Sequence, residues 1–346
     1  MKNLRPVLVL AAILLVAAAG LVHLPYQGFR EPVYIEIPRG ASSPAIARQL
    51  ADAGVIRLPF SFLLVRGLRP KAVIQAGEYV FREPASPWEV YRRLSLGDVH
   101  YYELTVREGD NLFDIAASLD RLGVVKGEEF LAAARSPVLI RDLAPEAPTL
   151  EGYLFPAVYR LNRRTTAQEL CRQMTDKFRS VWAGLSAGQP AHPVVTLASL
   201  VEKETALAEE RPLVASVFRN RLRRGMPLAC DPTAIYAALL EGRYRGVLSQ
   251  SDLLSQHRYN TYQNPGLPPG PIANPGLASL KAALEPAESP YLYFVAKADG
   301  SGAHVFSADL ENHTQAVLRY RRANAKNHQT RPAERVSRPA APGANR

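Results

Sequence analysis

Two stretches of the chain read as copies of one another: IEIPRGASSPAIARQLADAGVI at residues 35–56 and LTVREGDNLFDIAASLDRLGVV at residues 104–125. At constant offset Ile35 matches Leu104, Ile37 matches Val106, Gly40 matches Gly109, Leu50 matches Leu119 and Gly54 matches Gly123. Each copy starts with strand-like alternation, turns at a glycine, and continues with the apolar spacing of a helix that stops at a second glycine. A second pair follows the same logic. YVFREPASPWEVYRRL at 79–94 and YRLNRRTTAQELCRQM at 159–174 each read as strand, polar turn and amphipathic helix. Ser86 and Thr166 are the predicted N-caps, and Pro87 suits the first helical position. The expected class is therefore α+β, with duplicated small α+β units over residues 33–145.

Working outward, MKNLRP at the N-terminus is basic, and residues 7–22 are apolar without a charge, extended by His23 and Leu24. A membrane-spanning helix needs about 20 mainly apolar residues. The expectation is a cytoplasmic stub at 1–6 and an anchor at 7–24, oriented N-terminus inside by Lys2 and Arg5. Ala17-Ala18-Ala19-Gly20 also reads as a signal-peptidase site, so a cleaved leader is the competing reading. The net charge of +10 does not point to nucleic acid. Residues 326–346 alone hold five basic side chains against one acidic, in a composition that predicts a disordered basic tail. The other arginines are scattered rather than interleaved with aromatics in a nucleic-acid module. Cys171 and Cys230 form no CxxC pair, and no histidine spacing suits a metal.

Residues 148–325 carry a different texture and are expected to form a mixed α+β domain. TLASLVEKETALAEE, at 196–210, falls in a helix predicted over 194–208. On a wheel Val194, Leu197, Ala198, Val201 and Ala208 share one face. Glu204 falls between Leu197 and Leu200, while Glu202 sits at the opposite edge and Lys203 and Ser199 point away. A carboxylate on an apolar face is costly to ionise, and a glutamic acid of raised pKa is what protonates a glycosidic oxygen. The bland alternative pairs this glutamate with Arg219 or Arg221. Further helices are expected from Arg211-Pro212, from Asp231-Pro232 with Asp231 as cap, and from Asn274-Pro275 with Asn274 as cap. A hairpin is expected around Asp299-Gly300, and a last helix over 310–323.

Several motifs now converge on a known family. EKETALAEERPLVASVFRNRL, DPTAIY at Asp231, YNTY at Tyr259, GLPPGPIANPG at Gly266 and SPYLYFVAKADGSGAHVFS at Ser289 resemble, in order and spacing, the endolytic murein transglycosylase or YceG-like family. The resemblance implies an inner-membrane anchor, LysM-like units over the repeat, and an extracytoplasmic catalytic domain that cuts peptidoglycan internally, ending nascent glycan strands. It implies no cofactor and no metal, and work beside peptidoglycan synthases (penicillin-binding proteins). It makes Glu204, followed by Thr205, the acid. Protonated Glu204 would donate to the oxygen between N-acetylmuramic acid and N-acetylglucosamine. Its carboxylate would then take the proton of the muramic C6 hydroxyl as that group closes a 1,6-anhydro ring. The expected substrate-binding set is Glu202, Thr205, Asp231, Tyr259, Asn260, Thr261, Tyr262, Asn274, His304 and His313. Two other readings stay open at this point: a lysozyme-like hydrolase using Glu202 or Asp231 as second carboxylate, and a non-catalytic wall-binding adaptor.

Overall fold

The computed structural model describes residues 4–185 and 188–330. The chain divides into two compact units, one running to Glu103 and including Arg160–Arg164, the other Leu104–Tyr159 and the chain from Thr165 onward.

The first unit contains α1 (Leu4–His23), β1 (Val33–Ile37), α2 (Ser43–Asp52), α3 (Pro59–Leu68), β2 (Gly77–Phe81) and α4 (Pro87–Leu96). β1 and β2 are antiparallel, with Ile35 opposite Tyr79 and Val33 opposite Phe81. Their inward side chains meet Ile46 and Leu50 of α2, Phe62 and Val65 of α3, and Val90 and Leu94 of α4 in one buried core. On the other face Glu36 stands directly opposite Glu78. Two like charges in that relation repel. Arg164 answers one of them by bonding both oxygens of Glu36 at 2.6 and 2.7 Å. Arg163 stacks 3.5 Å over Tyr34 and stands 4.0 Å from Glu78. Charge neutralisation thus explains why these few residues belong to this unit. α1 is long and apolar enough to cross a membrane; its apolar side chains from Val7 to Val16 are exposed, whereas Val22 joins the core of the unit.

β3 (Tyr102–Val106) pairs with β4 (Ala157–Leu161). The second unit further contains α5 (Leu112–Leu122), α6 (Gly127–Ala134), α7 (Ala167–Ala183), α8 (Ala191–Glu204), α9 (Arg211–Arg223), α10 (Asp231–Leu240), α11 (Gln250–Leu253), α12 (Leu277–Leu284), the antiparallel hairpin β5 (Tyr293–Ala296) and β6 (His304–Ser307), and α13 (Leu310–Thr330). From Val194 to Val201 α8 is buried on every side, because α9, α10 and α12 all pack on it. The expectation that Ser199 points away is therefore corrected. Its hydroxyl donates to the Thr196 carbonyl and accepts from Ile272 N–H, both inside the core.

The element order of the first repeat pair recurs, β1–α2 against β3–α5, and the matched glycines have the same backbone. Gly54 and Gly123, which follow the two helices, both have φ of +72°. Ser86 caps α4, accepting from Glu89 N–H, and Thr166 forms a capping box on α7 with Glu169. The two copies nevertheless fall in different compact units. The second copy is drawn to the rest of its unit by a backbone exchange, Gly109 N–H to the Asn274 carbonyl and Asn274 N–H to the Asp110 carbonyl, each 2.9 Å.

Several boundaries differ from the sequence reading, among them the start of α8 at Ala191 rather than residue 194. α8 stops at Glu204, not at residue 208, because Thr205 is extended and its hydroxyl takes the Leu207 N–H in place of a helical bond. α12 begins after Gly276, so Asn274 does not cap it. α13 continues to Thr330, so the first residues of the expected tail are helical; positions 331–346, and 1–3 of the expected stub, lie outside the described residues.

The paired glycines give a test. A Cβ at Gly123 meets nothing, whereas one at Gly54 would lie 2.9 Å from the Gly28 backbone. Gly123→Ala is expected to cost ~1 kcal/mol for the left-handed backbone alone. Gly54→Ala should cost clearly more and lower the melting temperature of the full chain further.

Candidate active site

Glu204 is the last residue of α8. The C-terminal end of a helix carries a partial negative charge, so this is an unfavourable place for a carboxylate. Burial works in the same direction and pushes the Glu204 carboxyl above its ordinary value. The Cys230 thiol bonded to it, and the charges of His304 and Arg221, pull the other way, while Asp231 adds to the rise. Glu204 is not locked to a guanidinium. Arg219 is spent on Ala287 and Glu288, and Arg221 donates to the carbonyls of Leu292 and Leu228 at 2.7 Å each.

The same residue lines an open cleft of about 430 Å³ with Glu108, Gly109, Glu202, Lys203, Thr205, Ala206 and Arg211. Glu204 thus joins a poorly hydrated carboxyl to a place in the lining of the cleft. Its neighbour Glu202 is differently placed. One oxygen receives Arg211 at 2.8 Å and the other the Gly276 N–H at 2.9 Å. These two side chains are only 4% and 9% exposed, so Glu202 works as a tie between α8, α9 and the start of α12. Lys203 crosses the cleft wall to donate to the Gly109 carbonyl at 3.1 Å.

Thr205 leads to a second polar group. Its hydroxyl donates to Glu210 at 3.4 Å, and Glu210 accepts both the backbone N–H and the Nδ1 of His304, at 2.8 and 2.7 Å. Burial would raise the Glu210 carboxyl, but these bonds outweigh it and hold it below the usual carboxylate range. Glu210 therefore fixes the imidazole of β6 beside the end of α8.

The remaining expected residues divide by what they touch. Asp231 opens α10, but its carboxylate does not cap the helix; it accepts the Tyr262 hydroxyl at 2.6 Å. Tyr262 is partly exposed, and burial followed by that bond pushes its own hydroxyl up. Tyr259 is packed on Tyr236 and His257. Asn260 is fully buried and donates to the carbonyls of Asp252, Leu253 and Ser255. Thr261 bonds Cys230 N–H and Thr233. Asn274 accepts from Gly152 and Leu154 N–H and donates to Asp110 and Glu151. These last three side chains are consumed by the fold. His313 stacks on Tyr293, and burial, with the charge of Arg221, lowers its pKa. No group of three or more metal-ligating side chains occurs among the described residues.

Sequence reasoning missed Glu210, Arg211, Cys230 and Glu151. Glu151 had one visible signal, a lone carboxylate in the apolar run LEGYLF. It is buried, accepts Leu112 N–H at 3.0 Å and the Tyr236 hydroxyl at 2.9 Å, and takes the Asn274 amide at 3.1 Å. Burial pushes its carboxyl up to about 8 against those bonds.

Comparison with known proteins finds relatives of the chain as a whole. The sequence model of the YceG-like family matches residues 35–319. A Bacillus subtilis protein named endolytic murein transglycosylase is 34% identical over 309 residues, covering 83% of this chain and 84% of that protein. One of the same name from Streptococcus pneumoniae R6 is 30% identical over 328 residues, covering 83% of this chain and 58% of its own length. The crystal structure of a putative YceG-like protein from Listeria monocytogenes superimposes with a TM-score of 0.53 at 31% identity, covering 83% of this chain and 99% of that one.

The buried Glu151 predicts a pH dependence. Its folded pKa is raised, so its stabilising contribution is complete below the unfolded value near 4.5 and lost as pH rises through about 8. Glu151→Gln has no such loss. Thermal melts of the two proteins should therefore diverge in the variant's favour between those pH values, by on the order of a few kcal/mol.

Proposed function

We propose that this chain, which belongs to the YceG-like family, is a membrane-anchored lytic transglycosylase that cuts peptidoglycan strands internally and leaves 1,6-anhydromuramic ends. The observation that carries the reading is the Glu204 carboxyl, desolvated at a helix C-terminus in a residue that lines a cleft. The neutral acid gives its proton to the glycosidic oxygen as the bond to the muramic C1 breaks. The muramic C6 hydroxyl then attacks C1, and its proton returns to Glu204. One carboxyl suffices because the nucleophile belongs to the substrate and arrives pre-positioned. A hydrolase would need a second free carboxylate, and the bonds that occupy Glu202 argue against it in that role.

Between the two half-reactions Glu204 is an anion in a poorly hydrated place. Arg221 and His304 supply the compensating positive field, and Glu210 with Thr205 keeps His304 in position. Tyr262 with Asp231, and Lys203 on the cleft wall, are the side chains we assign to the sugar and its substituents. α1 serves as the anchor, with its N-terminus cytoplasmic and the cleft outside. The two β–α repeats, read as LysM-like units, serve as spacers toward the wall, where the enzyme works beside the synthases.

Full-length enzyme incubated with peptidoglycan should release ends lighter by one water than hydrolysis products. Glu204→Gln should lower turnover by at least about 10²-fold. Hydrated ends, or undiminished turnover in that variant, would overturn the proposal. Activity should also fall as pH rises through the raised pKa of Glu204, because the acid must be protonated. Since the His304 charge lowers that pKa, His304→Gln should move the alkaline limb of the turnover profile to higher pH while lowering its maximum. An unmoved limb would contradict the electrostatic role.

A further inference from the structure

A mainly apolar cavity of the first unit lies at the end of the candidate membrane helix. It measures about 520 Å³ and is lined by Ala17, Gly20, Leu21 and Leu24 from one side and by Arg57 and Ser61 from the other. α1 has 20 residues, a length of about 30 Å, which matches the hydrocarbon core of a bilayer. Ala17 lies six residues before His23, about 9 Å along the axis. The cavity therefore begins within the apolar depth that α1 would occupy and ends at the headgroup level. Arg57 and Ser61, which border it, thus stand beside the last turns of α1.

The side chains between them are unusual for a surface facing water. Leu58 is 48% exposed and Phe60 63%, and Leu24 across the cavity is 68% exposed. α3, which they open, is itself a short apolar helix. Around them stand groups suited to a membrane boundary. Trp88 packs 5.4 Å from His23, and Arg69 lies 4.6 Å over the Trp88 ring. Arg57 is the one charge on the cavity wall.

We propose that residues 57–61 and the last two turns of α1 form a lipid-binding face. An anionic phospholipid of the bilayer places an acyl chain in the cavity and its phosphate at Arg57, while Leu58 and Phe60 enter the boundary between headgroups and acyl chains. The proposal rests on the reading of α1 as an anchor. It adds that the first unit lies against the bilayer rather than hanging from a free tether, which fixes the start of the spacer relative to the membrane. The chemistry is that of a shallow interfacial anchor, with apolar side chains below the phosphates and basic ones beside them.

The test uses the full chain in nanodiscs containing phosphatidylglycerol, with a nitroxide on Phe60→Cys and, separately, on Leu15→Cys. Cys171 and Cys230 are buried and do not compete for the label. Accessibility to oxygen and to a water-soluble nickel chelate reports depth, and free label in buffer is the aqueous reference. Leu15→Cys should be oxygen-accessible and nickel-protected. Phe60→Cys should lie between that value and the reference, and Arg57→Glu should shift it several-fold toward the reference. A Phe60→Cys label that matches the reference while Leu15→Cys is immersed overturns the inference and leaves the anchor standing. Protection from both reagents would mean that protein covers the face, which also overturns it. An exposed Leu15→Cys label would instead overturn the anchor reading itself. Unchanged depth in Arg57→Glu, or in nanodiscs of phosphatidylcholine alone, would remove the anionic headgroup from the account.

Discussion

A carboxyl held where it is poorly hydrated is the constraint from which the rest of the site follows. Glu204 ends a helix whose middle, from Val194 to Val201, is buried, so it meets the negative pole of that helix and a dry environment together. Either effect alone favours the neutral acid. The counteracting groups come from α9 (Arg221), from β6 (His304) and from Cys230, the residue before α10. They keep the ionised form accessible, which a group that must first give and then take a proton requires.

Holding the acid there needs a stiff frame, and the second unit builds it from buried polar side chains rather than from apolar packing alone. Arg211, Glu202 and the Gly276 N–H form one tie, and Asn274 with Glu151 forms another. Asn274 alone bonds Gly152, Leu154, Asp110 and Glu151, so one amide joins segments far apart in the chain. Buried polar networks of this kind help to fix one arrangement, and losing one partner leaves others unpaired in a low dielectric. Glu151 is the weak point, since burial opposes the ionised form that its donors favour.

What could be read from the sequence follows from the range of the interactions. The strand–helix repeat, the Ser86 and Thr166 caps and the β5–β6 hairpin depend on neighbours a few residues away, and they were legible. The periodicity of α8 singled out Glu204 although the helix ends there, because the wheel needed only the residues before it. The end itself was not legible, since Thr205 stops the helix through a local hydroxyl bond that propensity does not weigh. Asn260 and Thr261 read as sugar ligands because their side chains suit sugars, and Asn274 read as a cap before Pro275. Their partners lie in other segments, and only the folded chain shows them occupied. The division between the units was hidden for the same reason, since the Gly109–Asn274 backbone exchange that claims the second repeat copy is invisible in its own sequence.

The account stands or falls on the protonation state of one side chain. Carboxyl carbon NMR on protein labelled at glutamate, with Glu204→Gln to assign the resonance, measures it in the unliganded enzyme. The prediction is a Glu204 signal that titrates well above the ordinary glutamate value near 4.5. A midpoint at or below that value would mean a hydrated or ion-paired carboxylate, and the acid proposed here would not exist.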